Sequence, residues 1–580
     1  MSFFNRFMGL FVWLLLLVGL MPGAASACGG FFCGATPVDQ QAERILFVQE
    51  DEYTVRSIVE IQYQGDPENF AWVVPVPSVP ELDTFSPQAL QALDLATEPF
   101  YIPAWQCTAY LYADNDGGPP RADSVTVDVL DRRLVGPFDT ATIESRDPDA
   151  LVEWLRINDF RVPEQMEPFI ALYVNEGMKF LAMKLQPGRR VDSIRPISMR
   201  YFARSPAVPL RLTAVAALPE MGVKVWVLAD RRYGALNVPA IEVPLERVRY
   251  DVSDDKSNHA ALVARLVDEQ QAPAFVTEYA QPTGPLADRV ANAFVPRPPD
   301  EEALEARDTL EALLRSKPYI TRLYTRVSPE EMHIDPIFGP TDGGDVSNVH
   351  VLPESAVAHC GRPTPGEPRD SADACEFAAC GQAGRCAAIA TNEPDFDIPG
   401  CACAEGTVAR AMLDPDARGR ARIACVDARM NFAEPFVDPC AQSPCGSRGE
   451  CVSLNGTATC RCDVGLVAVA RIQRSVESVV IGALPRCLEP KVPLPDDFLA
   501  GLVPFEPNLP YPGRPGPMDP PPEMTPSPNG GASTLPPRRG TPTADTGDAG
   551  CNTASTRGAA PLGGLIVVLG LGLARRRRFA

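Results

Sequence analysis

Histidines and acidic side chains cluster in one glycine-rich stretch, HIDPIFGPTDGGDVSNVH. Its polar members are His333, Asp335, Asp342, Asp345, Asn348 and His350. Oxygen ligands on such a loop could coordinate a cation. Asp, Asn and Gly also form ordinary turns that hold no ion, and this is the commoner role of such loops. We therefore predict no metal site and no cofactor.

A second reactive set is the seventeen cysteines, of which Cys28 and Cys33 come first, in ASACGGFFCG. Their C-x4-C spacing differs from the C-x-x-C motif that lowers a thiol pKa in oxidoreductases. A zinc site would need further ligands, and no histidine lies within 200 residues of Cys33. The pair therefore favours a structural disulfide. Lipidation of Cys28 is an alternative, although Ala25 stands where lipoprotein signals carry a large aliphatic residue.

Motifs of known catalytic sites do not occur in the sequence. There is no G-x-S-x-G, no H-E-x-x-H, no phosphate-binding loop and no dinucleotide-binding glycine pattern, and the chain has four histidines. We predict no catalytic or cofactor-binding residues. The sequence favours a protein that is not an enzyme.

Residues 1–27 have the pattern of a secretory signal peptide. Arg6 precedes the apolar run MGLFVWLLLLVGLM, whose 14 residues fall short of the ~20 that a spanning helix needs. Ala25 and Ala27 fit cleavage by signal peptidase between Ala27 and Cys28. The protein is therefore expected to be exported, and outside the cytosol cysteines pair into disulfides.

The charge balance is acidic, with 74 Asp and Glu against 53 Lys and Arg. Net negative charge keeps an exported protein soluble. Because no basic stripe with interleaved aromatic residues occurs, we expect no nucleic-acid partner.

Composition divides the mature chain into zones. Residues 28–348 are globular in composition, residues 360–487 carry thirteen cysteines, and the region after Glu489 is dominated by proline. A proline-rich stretch of this kind favours extended conformations and acts as a spacer. The predicted parts are a signal peptide (1–27), a globular domain (28–348), two cysteine-rich modules (360–430 and 436–488), a disordered spacer (489–550) and a tail (551–580).

Hydrophobic patterns predict a β-rich α+β fold for residues 28–348. YTVRSIVEIQYQG alternates as a half-buried strand does, FAWVVPVP suits a buried strand that ends at Pro75 and Pro77, and LRLTAVAAL and VKVWVLAD suit further strands. DPDALVEWLRIN and DEEALEARDTLEALLRSKP have the apolar spacing of helices, with Asp147 and Asp300 as N-caps.

Several short motifs resemble an exported bacterial family known as domain of unknown function 2330. They are ACGGFFC, FAWVVPVP, FLAMKL preceded by YVNEG, AFVTEYA, and DPIF at Asp335–Phe338. The resemblance covers roughly residues 28–345. It implies a shared fold and export, and it implies no established activity.

The later cysteines repeat one spacing, C-x4-C-x5-C-xn-C-x-C-xn-C, with Gly406 and Gly465 three residues after the fifth cysteine. This pattern resembles tandem epidermal-growth-factor-like (EGF-like) modules. The resemblance implies the pairs Cys375–Cys386, Cys380–Cys401, Cys403–Cys425, Cys440–Cys451, Cys445–Cys460 and Cys462–Cys487. The last loop of each module is unusually long. Calcium binding is not predicted, because the acidic pattern before the first cysteine is reduced to Asp373 and Asp438.

Four further cysteines remain in the folded zones, and three pairings are open to them. Our first choice is Cys28–Cys33 with Cys107–Cys360, which leaves no free thiol there. Cys551 stands apart, beyond the spacer.

The tail DTGDAGCNTASTRGAAPLGGLIVVLGLGLARRRRFA joins a Gly–Cys pair, an apolar run at residues 559–574 and four arginines. The arginines keep that end cytoplasmic. The order of these parts resembles the myxobacterial C-terminal sorting domain, MYXO-CTERM. The resemblance implies processing at Cys551 by a sortase-like membrane protease, whereas a retained transmembrane helix is the alternative.

Together these features predict a binding or adhesion protein displayed at the cell envelope or outer surface, held in the membrane at least transiently by its tail. The expected partner is an unknown extracellular protein or polysaccharide. The alternative is a secreted or surface hydrolase with an unrecognised site in residues 28–348. A contiguous exposed apolar patch would favour binding, and a cleft with close carboxylates of perturbed pKa would favour hydrolysis.

Overall fold

The computed structural model describes residues 39–64, 71–103, 129–158, 160, 162, 166–186, 195–215, 217–251, 256–293, 300–358, 374–391, 397–414, 420–429, 438–441, 443–474 and 480–502. The predicted signal peptide, the Cys28–Cys33 and Cys107–Cys360 disulfides, and the tail with Cys551 lie outside these residues. So does the spacer beyond residue 502.

We call residues 39–358 the head. The strands described in it are, in order, β1 (Asp39–Gln49), β2 (Thr54–Gln64), β3 (Ala71–Val76), β4 (Glu81–Thr84), β5 (Phe100–Ile102), β6 (Val129–Val135), β7 (Phe138–Ile143), β8 (Lys179–Leu185), β9 (Ile197–Phe202), β10 (Ala217–Ala229), β11 (Tyr233–Ala235), β12 (Ala240–Ile241), β13 (Tyr250–Asp251), β14 (Lys256–Ser257), β15 (Phe275–Pro282), β16 (Tyr319–Val327), β17 (Phe338–Pro340), β18 (Val349–Val351) and β19 (Val357–Ala358). The helices described in the head are α1 (Pro87–Thr97), α2 (Pro148–Ile157), α3 (Glu167–Asn175), α4 (Leu210–Thr213), α5 (His259–Gln270), α6 (Thr283–Ala293) and α7 (Glu301–Arg315). The predicted α+β fold is confirmed.

An eight-stranded sheet forms the centre of the head, in the order β12-β15-β16-β10-β1-β2-β9-β4. The central strands β1 and β10 run parallel, and β1 pairs with β2 antiparallel. Successive residues of β1 enter different cores: Ile45 and Phe47 lie on one face, Leu46 and Val48 on the other. The sheet is therefore buried on both faces, because neighbouring side chains of a strand point to opposite sides.

Each face of the large sheet has its own cover. A four-stranded sheet, β3-β8-β7-β6, packs with α2 and α3 against one face. Helices α1, α6 and α7 cover the other through Leu90, Leu286 and Leu310. The head is thus a three-layer structure.

Both helices predicted from capping patterns are present. Asp147 accepts a hydrogen bond from the Asp149 amide, and Asp300 accepts one from the Glu302 amide. Such caps satisfy amides that have no partner within the helix. Leu151 and Leu310 lie in the buried stripes, as the spacing predicts.

Three strand predictions need correction. The LRLTAVAAL stretch begins as the short helix α4 and becomes a strand only at Ala217. Every described residue from Leu210 to Val215 except Arg211 is buried. The apolar pattern therefore has no period that could distinguish a helix from a strand. FAWVVPVP is a buried strand that ends before Pro77, as predicted, but it includes Pro75, because β3 is an edge strand that tolerates a missing amide donor. Strand β2 is not half-buried: Ile58, on its polar face, packs beneath the helices.

We call residues 374–488 the cysteine-rich region. Its described part adds the strands β20 (Gly384–Ala390), β21 (Asp397–Cys403), β22 (Thr407–Leu413), β23 (Ala421–Asp427), β24 (Gly449–Leu454), β25 (Thr457–Cys462), β26 (Val467–Arg474) and β27 (Val480–Leu488). Its disulfides join Cys375–Cys386, Cys380–Cys401, Cys403–Cys425, Cys440–Cys451, Cys445–Cys460 and Cys462–Cys487. These are the six pairs that the EGF-like resemblance implies.

The two cysteine sets do not form two separate sheets. One sheet has the order β20-β21-β26-β27 and the other β23-β22-β25-β24, so each combines a hairpin from either set. The long final loops noted in the sequence are the hairpins β22–β23 and β26–β27. Their extra length lets each set pair with the other, at Ala409–Cys460 and at Cys401–Ala468.

None of the helices in the described part of the chain is long and apolar enough to cross a membrane. The apolar run at residues 559–574 lies outside that part.

Candidate functional site

A cavity of about 1000 Å³ lies between the head and the cysteine-rich region. Its head side is formed by β5, β10, β15, β16 and the start of α5, and its other side by residues of β21, β23 and β26. Ligand pockets typically have volumes of roughly 300–1000 Å³. The cavity is thus large enough for a ligand.

A continuous chain of hydrogen-bonded polar side chains begins on the head side of the cavity and ends at Asp94, inside the head. Tyr101 Oη lies 2.7 Å from His259 Nδ1, and His259 Nε2 lies 2.7 Å from Glu278 Oε1. Arg322 Nε donates to Glu278 Oε2 at 2.6 Å and Arg322 Nη1 donates to Asp94 Oδ1 at 2.8 Å. We call these five residues the polar chain.

Five secondary-structure elements position the residues of the polar chain. Tyr101 is the central residue of β5, His259 opens α5, and Glu278 and Arg322 lie on the adjacent strands β15 and β16. Asp94 comes from α1, on the helix-covered face of the large sheet. Residues far apart in the chain meet here because the sheet brings its strands together.

Arg322 is buried as deeply as Glu278, each with 2 % of its side chain exposed. It also donates to the Asp94 carbonyl and to Thr97 Oγ1, which in turn accepts from Trp226 Nε1 at 2.9 Å. A buried charge is tolerated only when it is paired and hydrogen-bonded. The pairing is extensive here.

Electrostatics keep both carboxylates of the polar chain ionised. Burial alone would raise the pKa of Glu278, but the charge of Arg322 and the hydrogen bond from His259 outweigh burial and lower it. Burial likewise opposes ionisation of Asp94, and the charges of Lys224, Arg322 and Arg44 lower its pKa below the ordinary value. The two buried carboxylates are thus stabilised by the positive charges of Arg322, Lys224 and Arg44.

The phenol of Tyr101 behaves in the opposite way. Burial, together with the charge of Glu278, raises its pKa well above the ordinary value. The hydroxyl therefore stays protonated and forms a hydrogen bond with His259 Nδ1, and because the Glu278 carboxylate can only accept, His259 Nε2 donates to it. Both ring nitrogens of His259 are engaged within the protein.

The cysteine-rich region is held against the head beside the cavity. Arg422 of β23 donates to Glu220 Oε2 at 2.8 Å and to the Pro219 carbonyl at 2.7 Å. In the reverse direction, Arg265 of α5 donates to the carbonyls of Cys375, Glu376 and Ala378. Charge-assisted hydrogen bonds of this kind fix relative orientation.

A strained residue stands at this contact. Glu220, with 3 % of its surface exposed, has φ +54° although it is not a glycine. Burial raises the pKa of its carboxyl, and the charges of Arg422 and Arg326 counteract part of that effect. Backbone strain of this kind persists where the surroundings hold it, and it is common at binding sites.

The polar residues of the glycine-rich stretch HIDPIFGPTDGGDVSNVH make separate contacts with different parts of the head. Asp335 accepts from Arg211 and Tyr173, and Asp345 accepts from Tyr319 at 2.7 Å. Asn348 donates to the Glu98 carbonyl, and the His350 ring stacks on Tyr101 at 5.3 Å. Two more members, His333 and Asp342, are half-buried and exposed, respectively. In the part of the chain that the structure describes, no three His, Cys, Asp or Glu side chains are placed to hold a metal ion.

Sequence reasoning did not identify the polar chain. A usable signal was present, because Glu278 and Arg322 interrupt the apolar strands AFVTEYA and YITRLYTRV. Ionisable residues are rarely buried unless they are paired. Two such residues in separate buried strands therefore indicate a partner.

A family model described as "Uncharacterized protein conserved in bacteria (DUF2330)" matches residues 22–330, more than half of the 580-residue chain. No curated protein and no solved structure matches the chain.

Proposed function

We propose, from the premise that the chain belongs to the DUF2330 family of uncharacterized bacterial proteins, that it is an exported binding protein. Its ligand occupies the cavity between the head and the cysteine-rich region. The observation that carries the proposal is the cavity itself, which is lined by paired charges and by the aromatic rings of Phe100, Tyr250 and Tyr324. Such a mixture suits recognition of a polar ligand.

Both ring nitrogens of His259 in the polar chain already have hydrogen-bond partners, and this favours binding over catalysis. A general base needs a free nitrogen or a partner that gives up its proton readily. His259 has both nitrogens engaged, and its neighbour Tyr101 has a pKa raised by burial. The polar chain therefore supplies a rigid wall of fixed dipoles, and the proposal includes no reaction.

Location outside the cytosol is supported by the six disulfides, because reducing compartments keep thiols free. The signal-like residues 1–27 and the tail at residues 551–580 extend this proposal to display at the cell envelope. In it the tail is processed at Cys551 by a sortase-like protease, as the resemblance to MYXO-CTERM implies.

The cysteine-rich region is proposed to be a pair of EGF-like modules. Six disulfides in the first–third, second–fourth and fifth–sixth order support this assignment. The shared sheets add to the proposal that the two modules act as one rigid wall of the binding site. Modules with few apolar residues depend on such crosslinks for stability.

A photo-crosslinking experiment tests the proposal. A benzophenone amino acid replaces Ala261, which lines the cavity, or Ala150, an exposed alanine of α2 that serves as control. The full chain is expressed in its own cell and irradiated. We expect an adduct from position 261 and none from position 150, whereas equal adducts or none at 261 would contradict binding in the cavity.

The hydrolase alternative is supported by one observation, the His259–Glu278 pair in the wall of a cavity. Turnover of a substrate panel by the full chain, abolished by His259→Gln, would establish it. The same result would overturn the proposal of a binding protein.

A further inference from the structure

An apolar patch is exposed on the two-stranded ribbon of β5 and β18. The strands run parallel with Phe100 opposite Val349 and Ile102 opposite Val351. These four side chains are 59 %, 47 %, 38 % and 72 % exposed in the order Phe100, Val349, Ile102 and Val351. Because strand residues alternate between faces, all four share one face and Tyr101 and His350 share the other.

The ribbon also has a free backbone edge. Phe100 donates to the Asn348 carbonyl at 2.6 Å and Leu352 donates to the Ile102 carbonyl at 2.9 Å. In a parallel ladder this register uses the N–H and C=O of His350 and turns those of Val349 and Val351 outward. The Val349 amide bonds to Ser347 Oγ. Among the described residues, the Val351 amide and the carbonyls of Val349 and Val351 have no backbone partner.

We propose that an extended peptide segment of a partner protein adds to β18 as a third strand. Its alternate side chains are apolar and contact Val349, Val351 and their neighbours, while its flanking side chains are basic. Strand addition of this kind takes affinity from main-chain hydrogen bonds and specificity from alternate side chains. The inference rests on the proposed binding function and names the class of partner.

Charge argues for a basic segment and against a second copy of the chain. The protein carries a net charge of −21, so two copies repel each other and cationic peptides are attracted. Glu98, two residues before β5, lines the cavity, and burial together with the negative charge of Asp94 raises the pKa of its carboxyl. A lysine or arginine of the bound peptide beside Glu98 favours the ionised form of this carboxyl.

The chemistry of the edge excludes an acyl chain as occupant. Unpaired N–H and C=O groups require donors and acceptors, which a lipid tail lacks. The ribbon is also continuous with the cavity, because Phe100 belongs to both. A peptide can therefore lie along β18 and extend its end into the cavity.

A peptide library tests the inference. The probe is a phage-displayed library of linear 12-residue peptides selected on the full chain, and enriched peptides are then measured by fluorescence anisotropy. We expect alternating apolar positions flanked by Lys or Arg, and at least tenfold weaker binding to Val351→Pro, which removes the outward amide. Val351→Ser, which keeps that amide, should lose a few-fold, and the exposed control Phe202→Ser should lose nothing.

Other results overturn the inference. These are enriched peptides without the alternating pattern, equal binding by Val351→Pro and the parent chain, or a Val351 amide already protected from hydrogen exchange in the free chain. A concentration-dependent dimer abolished by Val351→Pro would identify a second copy as the occupant. A crosslinked cavity ligand at position 261 would leave the binding function intact even if peptides fail.

Discussion

Arg322 holds the buried part of the polar chain together, because it bridges Glu278 and Asp94. Replacing it by methionine leaves both carboxylates buried with less neutralisation. We expect Arg322→Met to lower the free energy of unfolding by about 3–5 kcal/mol, the cost of breaking a buried ion pair from one side. Urea denaturation of the full chain measures this.

The matched control is Arg315→Met, since Arg315 pairs with Asp288 and Glu311 on the surface of α7. Exposed pairs contribute about 0–1 kcal/mol. Equal losses for the two variants would contradict the energetic role assigned to the polar chain.

The buried carboxyl of Glu330 makes the free energy of unfolding depend on pH. Burial, helped by the charges of Asp427 and Glu220, raises the pKa of its carboxyl from 4.5 to about 7. The neutral form is favoured in the folded state, so the stabilisation is complete below pH 4.5 and is lost as the pH rises through about 7. The loss is on the order of 3 kcal/mol.

Glu330→Gln should therefore flatten the dependence of unfolding free energy on pH between 4.5 and about 7. Glu305→Gln, at an exposed position of α7, should leave that dependence as it is. An unchanged slope in Glu330→Gln would show that this carboxyl ionises normally in the folded protein.

At the scale of single residues, the sequence could predict little of the site. Asp147 and Asp300 were predictable as caps because a cap is a local hydrogen bond two residues away. Tyr101 and His259 are 158 positions apart, and nothing local connects them. Their meeting depends on the sheet that is formed by other residues.

Among elements, α7 tests how far local signals set stability. Asp300→Ala removes the side chain that accepts from the Glu302 amide. We expect a loss of about 1 kcal/mol in unfolding free energy. Asp308→Ala, an exposed acidic residue within the same helix, is the control, and an equal or larger loss there would contradict the capping role.

The shared sheets of the cysteine-rich region make a second prediction. Replacing Cys462 and Cys487 by serine opens a 25-residue loop and should cost about 3 kcal/mol. Because β26 pairs with β21 at Cys401–Ala468, hydrogen exchange should accelerate in residues 397–403 as well as in the second set. Acceleration confined to residues 457–488 would show that the two sets behave as separate modules.

The elements that sequence could not predict share a physical cause. LRLTAVAAL is buried almost throughout, so its apolar run has no period to separate helix from strand. The pairing of β21 with β26 and of β22 with β25 depends on contacts between distant loops. The long final loops of the cysteine pattern gave no indication of these strand partners.

For the whole molecule, composition predicted a globular zone followed by a cysteine-rich zone. It did not indicate that the two zones pack together through Arg422 and Arg265, since their partners are mainly backbone carbonyls. Every residue has a backbone carbonyl, so the sequence does not show which carbonyls accept these hydrogen bonds. The cavity, which forms between the zones, was unpredictable for the same reason.

The central claim is that the cavity between the head and the cysteine-rich region binds the ligand. Ala261→Trp places a large side chain at the cavity wall, and Ala150→Trp makes the same change on the exposed surface of α2. Isothermal titration with the ligand recovered by crosslinking at position 261 compares the two. We expect Ala261→Trp to weaken binding at least tenfold and Ala150→Trp to bind as the parent chain does; equal affinity in the two variants would contradict the claim.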